Sequence, residues 1–216
     1  MVVEARSRAP QPVIKDAWEA KGLTWARDGE TPLPAQLTYP ENSLLIVGGY
    51  PGAGKSTLLR RLKTEALILN PEQLAEEAAV AVNTREAHHL MQSKVRALME
   101  AGRPVIIDAP AVYGRLRRSY IRLATGRGYI PNLLFIDVPA DQARQGQMRR
   151  QADGGKEALS EDRWEWYQQE YASLMFDLEY MEEEDMDDRF DYHSITVADR
   201  QSAAGIQTIS FTGGRR

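Results

Sequence analysis

The sequence predicts one three-layer α/β domain, in which a central parallel sheet carries helices on both faces. Apolar runs typical of buried strands alternate with amphipathic segments typical of helices. The apolar runs lie at residues 43–47, 66–69, 105–108 and 133–138. Strands that are separated by helices pair in parallel through right-handed crossovers, so this alternation favours a parallel sheet.

Helices are predicted between these strands. The first spans 55–64, where three leucines fall on one side and basic residues on the other. The second begins at Asn83 or Thr84 and ends at Gly102; Asn83 with Glu86 resembles a capping box. The later predictions are helices over about 114–125 and 160–181 and terminal strands over 194–197 and 206–211.

The first 42 residues are rich in proline and lack sustained periodicity. They are interpreted as a partly irregular N-terminal extension, with a short helix near Val13–Ala20 that packs Trp18 onto the body. The α/β domain is therefore expected to span residues 43–216.

Composition excludes several classes of protein. The chain has no cysteine, which excludes disulfides and thiol catalysis and favours a cytoplasmic setting. It shows neither a signal peptide nor an apolar run long enough for a membrane span. Residues 177–191 carry a net charge of −8, which leaves +4 for the rest of a chain whose total is −4. This acidic segment is either a solvated loop or a surface for a protein partner.

A glycine-rich motif follows the first predicted strand. Residues 49–56, GYPGAGKS, match the phosphate-binding pattern G-x-x-x-x-G-K-[ST] and stand directly before an amphipathic helix. Glycines let the loop backbone approach phosphate closely, and the N–H groups of the loop and of the helix start converge on phosphate oxygens. The expected nucleotide-binding residues are Gly49, Gly52, Ala53, Gly54, Lys55, Ser56 and Thr57. The alternative is a glycine-rich turn without a ligand.

The chemistry of this motif indicates ATP with Mg²⁺. Lys55 is expected to reach the β- and γ-phosphates, and the Ser56 hydroxyl to ligate Mg²⁺. Asp108 ends the third apolar run, where a carboxylate at the end of a parallel strand suits a second contact to the metal. Asp108 could instead cap a helix, or do both.

With these motifs placed, the chain resembles a P-loop kinase of the polynucleotide-kinase-like, AAA-type ATP-binding group, and more weakly a zeta-toxin-type kinase. The resemblance covers about residues 43–152. It is carried by VIIDA at 105–109, the basic stretch RLRR at 115–118, GY at 128–129, FIDVP at 135–139 and the arginine pair at 149–150. It implies the three-layer P-loop NTPase fold with a helical lid over about 142–160.

The resemblance also implies roles for individual residues. Glu72 falls on the position of the base that activates an acceptor hydroxyl, where such kinases carry Asp, and Ala75 stands where an arginine often follows. Arg150, and then Arg149, are expected to contact the γ-phosphate from the lid. The glycines in Asp153-Gly154-Gly155 suggest that this lid is flexible. The alternative readings are a first-turn helix glutamate and two surface arginines.

Two further groups of residues keep two interpretations each, and a third is placed by the resemblance. The face formed by Trp164, Tyr167 and Tyr171 could stack on a nucleotide base or pack into the core. The basic helix with Arg115, Arg117, Arg118 and Arg122 could bind an acceptor phosphate or form a solvated face. The resemblance places Ala198-Asp199-Arg200 where related kinases flank adenine.

Together these features predict an ATP-dependent kinase that transfers the γ-phosphoryl group to a hydroxyl. The acceptor would be a nucleic-acid 5′-hydroxyl, a nucleoside or another small metabolite. The alternative is an ATP-hydrolysing switch, or a regulatory nucleotide-binding protein, that acts on a protein partner through the acidic segment or the N-terminal extension.

Overall fold

The computed structural model describes residues 23–27, 33–82, 84–155, 158–180 and 192–213. Its strands are β1 (Leu23–Ala26), β2 (Gln36–Pro40), β3 (Ser43–Gly49), β4 (Leu67–Leu69), β5 (Val105–Asp108), β6 (Ile130–Asp137), β7 (Ser194–Asp199) and β8 (Thr208–Thr212). Its helices are α1 (Lys55–Arg61), α2 (Pro71–Glu77), α3 (Arg85–Glu100), α4 (Gly114–Thr125), α5 (Ala140–Ala152), α6 (Glu161–Tyr180) and α7 (Arg200–Ala204).

The main sheet has six strands in the order β4-β5-β3-β6-β7-β1, and every pair of neighbours is parallel. Strand β3 lies inside the sheet with all seven residues buried, as its continuous apolar run predicts. Register pairs Val47 with Asp108 and Gly49 with Ile136, so the carboxyl ends of β3, β5 and β6 meet at one edge. The predicted three-layer α/β fold is confirmed.

The segment before residue 43, interpreted from the sequence as a partly irregular extension, contributes one strand to each sheet. Strand β1 pairs with β7, and β2 pairs with β8 in a second, two-stranded sheet. These strands are short and lie among prolines, and their partners are about 170 residues away, so no local pattern marked them. The proposed helix over 13–20, with Trp18, lies outside the described residues.

The helix boundaries follow local capping chemistry. Thr84 caps α3, where its side chain accepts a hydrogen bond from the Ala87 N–H at 3.2 Å. Asn83, the other proposed start, lies outside the described residues. Helix α1 ends at Arg61, three residues earlier than expected, and Lys63 then forms a bridge to Thr208 of β8.

The aromatic face of α6 packs into the core. Trp164 and Tyr167 are buried and Tyr171 is half-buried, which favours core packing over an open stacking platform. Most of the acidic segment, residues 181–191, lies outside the described part of the chain. Within that part, no helix is both long and apolar enough to cross a bilayer.

Candidate active site

The phosphate loop connects β3 to α1 through three glycines in left-handed conformations. Their φ angles are 133° at Gly49, 89° at Gly52 and 103° at Gly54. A Cβ on Gly49 would lie 2.5 Å from the Ile136 carbonyl oxygen, and one on Gly52 would overlap the Ala143 carbonyl oxygen. The loop therefore needs glycine for both backbone conformation and close packing.

Lys55 lies inside this loop. Its Nζ donates hydrogen bonds to the carbonyl oxygens of Gly49 at 3.1 Å and Tyr50 at 2.8 Å. Burial lowers the pKa of Lys55 to about 8, against the opposing effects of Asp108 and Glu72, and Arg150 lowers it further. The ammonium group is thus held by weak acceptors in a desolvated position, where the oxygens of a phosphate would be stronger partners.

Asp108 is buried at the carboxyl end of β5. Its Oδ2 accepts hydrogen bonds from the Ser56 hydroxyl at 2.6 Å and from the Asn70 amide at 3.0 Å. The structure therefore brings together Ser56 and Asp108, the two residues predicted to hold the metal.

Asn70 is a site residue that the sequence analysis did not identify. Its Oδ1 caps α2 by accepting from the N–H groups of Glu72 at 2.9 Å and Gln73 at 3.0 Å, while its amide nitrogen reaches Asp108. The Asn-Pro pair before α2 was the available signal, because asparagine at the N-cap with proline next is a helix start. Asn70 fixes the start of α2 relative to the Asp108 carboxylate.

The donor set at this point suits Mg²⁺. A serine hydroxyl and a carboxylate are hard oxygen ligands, and phosphate and water usually complete the shell of this ion. No group of three or more His, Cys, Asp or Glu side chains gathers as a metal site in the residues that the structure describes. Any Mg²⁺ here would therefore depend on bound phosphate for part of its coordination.

Glu72 and Arg150 lie on separate helices, and the charge of each affects the pKa of Lys55. Glu72 is the second residue of α2 and Arg150 lies near the end of α5, yet both charges act on Lys55. Both side chains are exposed, as a base and a lid arginine that meet a substrate would be. Arg149 is also exposed, and it stands next to Arg150 on α5.

The glycines of the proposed lid lie at the end of α5. Gly154 has a φ of 77°, and Gly155 N–H donates to the Arg150 carbonyl at 2.8 Å, which closes α5 in a Schellman-type end. These glycines therefore end a helix. Arg144 is engaged in an ion pair with Glu161 of α6, so it serves the α5–α6 contact.

Aromatic rings of helix α6 pack against Tyr50 of the phosphate loop. Tyr50 is buried and stacks on Tyr171 with a centroid distance of 4.2 Å and on Trp164 at 5.4 Å. The Tyr171 hydroxyl hydrogen-bonds Asp137 at the end of β6, and Arg27 forms an ion pair with the same carboxylate at 2.6 Å. Helix α6 and the residue after β1 thus both help to fix the loop.

Arg117 of helix α4 matches neither interpretation of the basic stretch, which were an acceptor-phosphate site and a solvated face. That side chain is buried and donates to the carbonyl oxygens of Ala111 at 3.1 Å and Val112 at 2.6 Å. Ala111 has a φ of 51°, which is uncommon for a residue with a Cβ. Arg117 therefore holds the turn that follows Asp108.

Arg200 lies beside the phosphate loop. Its guanidinium donates at 3.4 Å to the carbonyl oxygens of Gly52 and Ala53, and Asp199 caps the helix on which it sits. The Ala198-Asp199-Arg200 stretch is thus adjacent to the phosphate loop, and its contact with adenine remains a prediction.

The affinity for ATP is expected to fall as the pH rises through about 8. The protonated form of Lys55 is the one expected to bind phosphate, and burial lowers its pKa to about 8 in the free protein. Bound phosphate would raise that pKa, so above pH 8 binding must take up a proton. Titration of a fluorescent ATP analogue between pH 6.5 and 9.5 measures this decline.

A Lys55→Arg variant is the control for this pH profile, because arginine stays protonated throughout the range. We expect its nucleotide affinity, even if weakened, to be flat across pH 8. A decline of the same size in that variant would assign the titration to a different group.

Comparison with known proteins places this geometry in a family. The model of the AAA domain family matches residues 44–174, more than half of the chain. The match runs from β3 into α6 and includes the phosphate loop, Glu72, Asp108 and the lid arginines. No protein with a curated description matches the chain significantly.

Solved structures show the same fold. A chain of the Pnkp1/Rnl/Hen1 RNA repair complex has 20% identity and a TM-score of 0.54 over 64% of this chain and 46% of that chain. A chain of the PezAT toxin–antitoxin system of Streptococcus pneumoniae has 14% identity and a TM-score of 0.52, covering 88% and 75%.

The present chain spans less than half the length of the chain it matches in the RNA repair complex. At these identities the likeness concerns the fold. The expected resemblance to the polynucleotide-kinase-like group of P-loop kinases is confirmed at that level. The chain belongs to the AAA domain family and has the fold of a P-loop kinase.

Proposed function

We propose that the protein is an ATP-dependent kinase that transfers the γ-phosphoryl group of ATP to a hydroxyl acceptor. The observation that carries this proposal is the phosphate loop itself, in which the buried Lys55 ammonium donates to the loop carbonyls and the adjacent Ser56 hydroxyl donates to Asp108 of β5. Phosphoryl transfer needs a cation, a metal-binding carboxylate, a base and a lid arginine around one phosphate. The chain offers one candidate for each.

The residues would divide the work as follows. When ATP binds, the Lys55 ammonium would leave the carbonyl oxygens of the loop and bind oxygens of the β- and γ-phosphates. The N–H groups of the loop would orient the triphosphate. Glu72 takes the proton of the attacking hydroxyl, while Arg150, assisted by Arg149, offsets charge on the transferring phosphoryl group. Ser56 and Asp108 would hold Mg²⁺, which supplies further charge neutralisation when bound.

The acceptor would approach from the side of α2, where Glu72 is exposed. Ala75, which occupies the position of a frequent family arginine, is buried in this helix and offers no charge to an acceptor. The proposal therefore keeps three classes of acceptor: a nucleic-acid 5′-hydroxyl, a nucleoside or another small metabolite. We place the protein in the cytoplasm, in line with its lack of cysteine.

The test is transfer of label from γ-labelled ATP with Mg²⁺ to a panel of acceptors. The panel contains 5′-hydroxyl DNA and RNA oligonucleotides, nucleosides and sugar nucleotides. A Glu72→Gln variant keeps the size of the side chain and removes the base, so transfer is expected to fall at least about a hundredfold while ATP still binds.

Glu76→Gln is the matched control, because this glutamate is exposed on the same helix one turn further on. It should transfer label at the wild-type rate. Release of free phosphate without labelled acceptor, equal in wild type and in Glu72→Gln, would contradict the kinase proposal. That result would favour an ATP-driven switch that acts on a protein partner through the acidic segment or the N-terminal extension.

A further inference from the structure

Gln147 of α5 is a buried side chain that joins three segments. It is 2% exposed, although glutamine is usually a surface residue. Its Nε2 donates to the Pro51 carbonyl oxygen in the phosphate loop at 2.9 Å. Its Oε1 accepts from the Leu159 N–H, just before α6, at 3.1 Å. Both ends of the buried amide are therefore satisfied, which makes the contact specific.

Helix α5 also touches the phosphate loop by backbone packing. A Cβ on Gly146 would overlap the Gly52 carbonyl oxygen, and a Cβ on Gly52 would overlap the Ala143 carbonyl oxygen. The helix and the loop therefore meet at the shortest approach that their backbones allow. This contact leaves Gln147 little freedom to shift relative to Pro51.

The hydrogen bond to Pro51 has a consequence for the next residue. The Pro51 carbonyl and the Gly52 N–H belong to one planar peptide unit, and the structure contains no cis peptide bonds in its described residues. In a trans peptide the C=O and the N–H point in opposite directions. By holding the carbonyl oxygen, Gln147 fixes the direction of the Gly52 N–H on the other side of the loop.

We infer that Gln147 is a positioning residue for the nucleotide: it orients the Gly52 N–H toward the β- and γ-phosphates of ATP. The inference rests on the proposed function, and specifically on nucleotide binding by this loop. Because Arg150 lies on the same helix one turn later, the side chain also ties the loop to the proposed lid.

The test compares the same substitution at two positions of α5. Gln147→Glu keeps an acceptor for the Leu159 N–H but places a carboxylate oxygen against the Pro51 carbonyl, where two acceptors repel. Gln151→Glu is the matched control, because Gln151 is exposed one turn later and its Oε1 accepts from the Ala158 N–H at 3.3 Å, with no contact to the loop.

ATP and AMP affinities are measured for both variants and the wild type by displacement of a fluorescent nucleotide. In Gln147→Glu, ATP affinity is expected to fall about tenfold, as for one disrupted buried hydrogen bond. AMP lacks the β- and γ-phosphates, so its affinity should not change. Gln151→Glu should match the wild type for both nucleotides.

A Gln147→Met variant removes the hydrogen bonds without adding charge, and it decides the question if Gln147→Glu fails to fold. Equal ATP affinity in the Gln147 and Gln151 variants would overturn the inference, as would an equal loss of ATP and AMP affinity at Gln147. A wild-type protein that binds no ATP would overturn both the kinase proposal and the inference about Gln147. A wild type that binds ATP without transferring phosphate would overturn only the kinase proposal, since the Gln147 comparison depends on binding.

Discussion

Replacing Lys55 by methionine is expected to reduce phosphoryl transfer by about a thousandfold or more, because it removes the cation aimed at the transferred phosphate. Methionine keeps much of the length and packing of the lysine chain. In the free protein the lysine ammonium donates to the carbonyl oxygens of Gly49 and Tyr50. These bonds do not replace its contact with phosphate, so ATP affinity should fall together with the rate. Initial rates with labelled ATP and equilibrium binding of a fluorescent analogue measure the two effects.

The fold should survive this substitution. Burial lowers the pKa of Lys55, so at neutral pH the protonated side chain is held against a desolvation cost that methionine does not carry. Loss of the two lysine hydrogen bonds lowers the free energy of unfolding by about 1–3 kcal/mol, which opposes this gain. The free energy of unfolding should therefore change little.

Lys94→Met is the control, since Lys94 is exposed on α3, an element that contributes no residue to the proposed site. It should retain both ATP binding and transfer. Undiminished ATP affinity in Lys55→Met would show that the loop at 49–56 does not bind the phosphates.

The second large effect is expected from Asp108→Asn. Asparagine keeps an oxygen that can accept from the Ser56 hydroxyl and the Asn70 amide, so the local geometry should persist. The negative charge is lost, and with it the attraction for Mg²⁺. Charge stabilisation by a metal contributes several kcal/mol to a transition state, so the rate should fall about a thousandfold at a fixed Mg²⁺ concentration.

Rates measured across a Mg²⁺ series distinguish this role from structural damage. The variant should need more Mg²⁺ for half-maximal rate, while its ATP affinity in excess chelator should equal that of the wild type. Asp162→Asn, an exposed carboxylate in the first turn of α6, supplies the control. A Mg²⁺ dependence unchanged in Asp108→Asn would remove Asp108 from the proposed metal site.

Local patterns explain why much of the fold was predictable. Strand β5 and helix α4 occupy the predicted spans, because a short apolar run and a 3.6-residue periodicity are signals carried by neighbouring residues. Strands β1 and β2 carried no such signal. Their stability comes from pairing with β7 and β8, at the far end of the chain.

In the candidate site, too, residues in contiguous motifs were predictable and residues joined by long-range contacts were not. The phosphate loop fixed the expected positions of Lys55 and Ser56, and the strand end fixed Asp108, because each motif is contiguous in sequence. Asn70 and Gln147 were not found, since an asparagine before proline and a glutamine on a helix are ordinary residues until their hydrogen-bond partners are known.

The arginines show the limit of reading charge from sequence. Arg117, in a basic stretch that suggests a surface, is buried against the carbonyls of Ala111 and Val112. Arg144 is engaged by Glu161, whereas Arg150 acts on Lys55. A basic residue's environment depends on which distant backbone or carboxylate folds against it.

By itself, the sequence determined that this protein has a parallel α/β sheet and a phosphate loop. Both can be predicted from the spacing of glycine, lysine and apolar residues that are close together in the chain. Only the tertiary structure decided that Ser56 and Asn70 both donate to Asp108, and that Gln147 holds the phosphate loop from helix α5. The hydrogen bonds of Asn70 to Asp108 and of Gln147 to Pro51 join residues that are 38 and 96 positions apart in the chain. Chain folding therefore sets them, and no local propensity could reveal them.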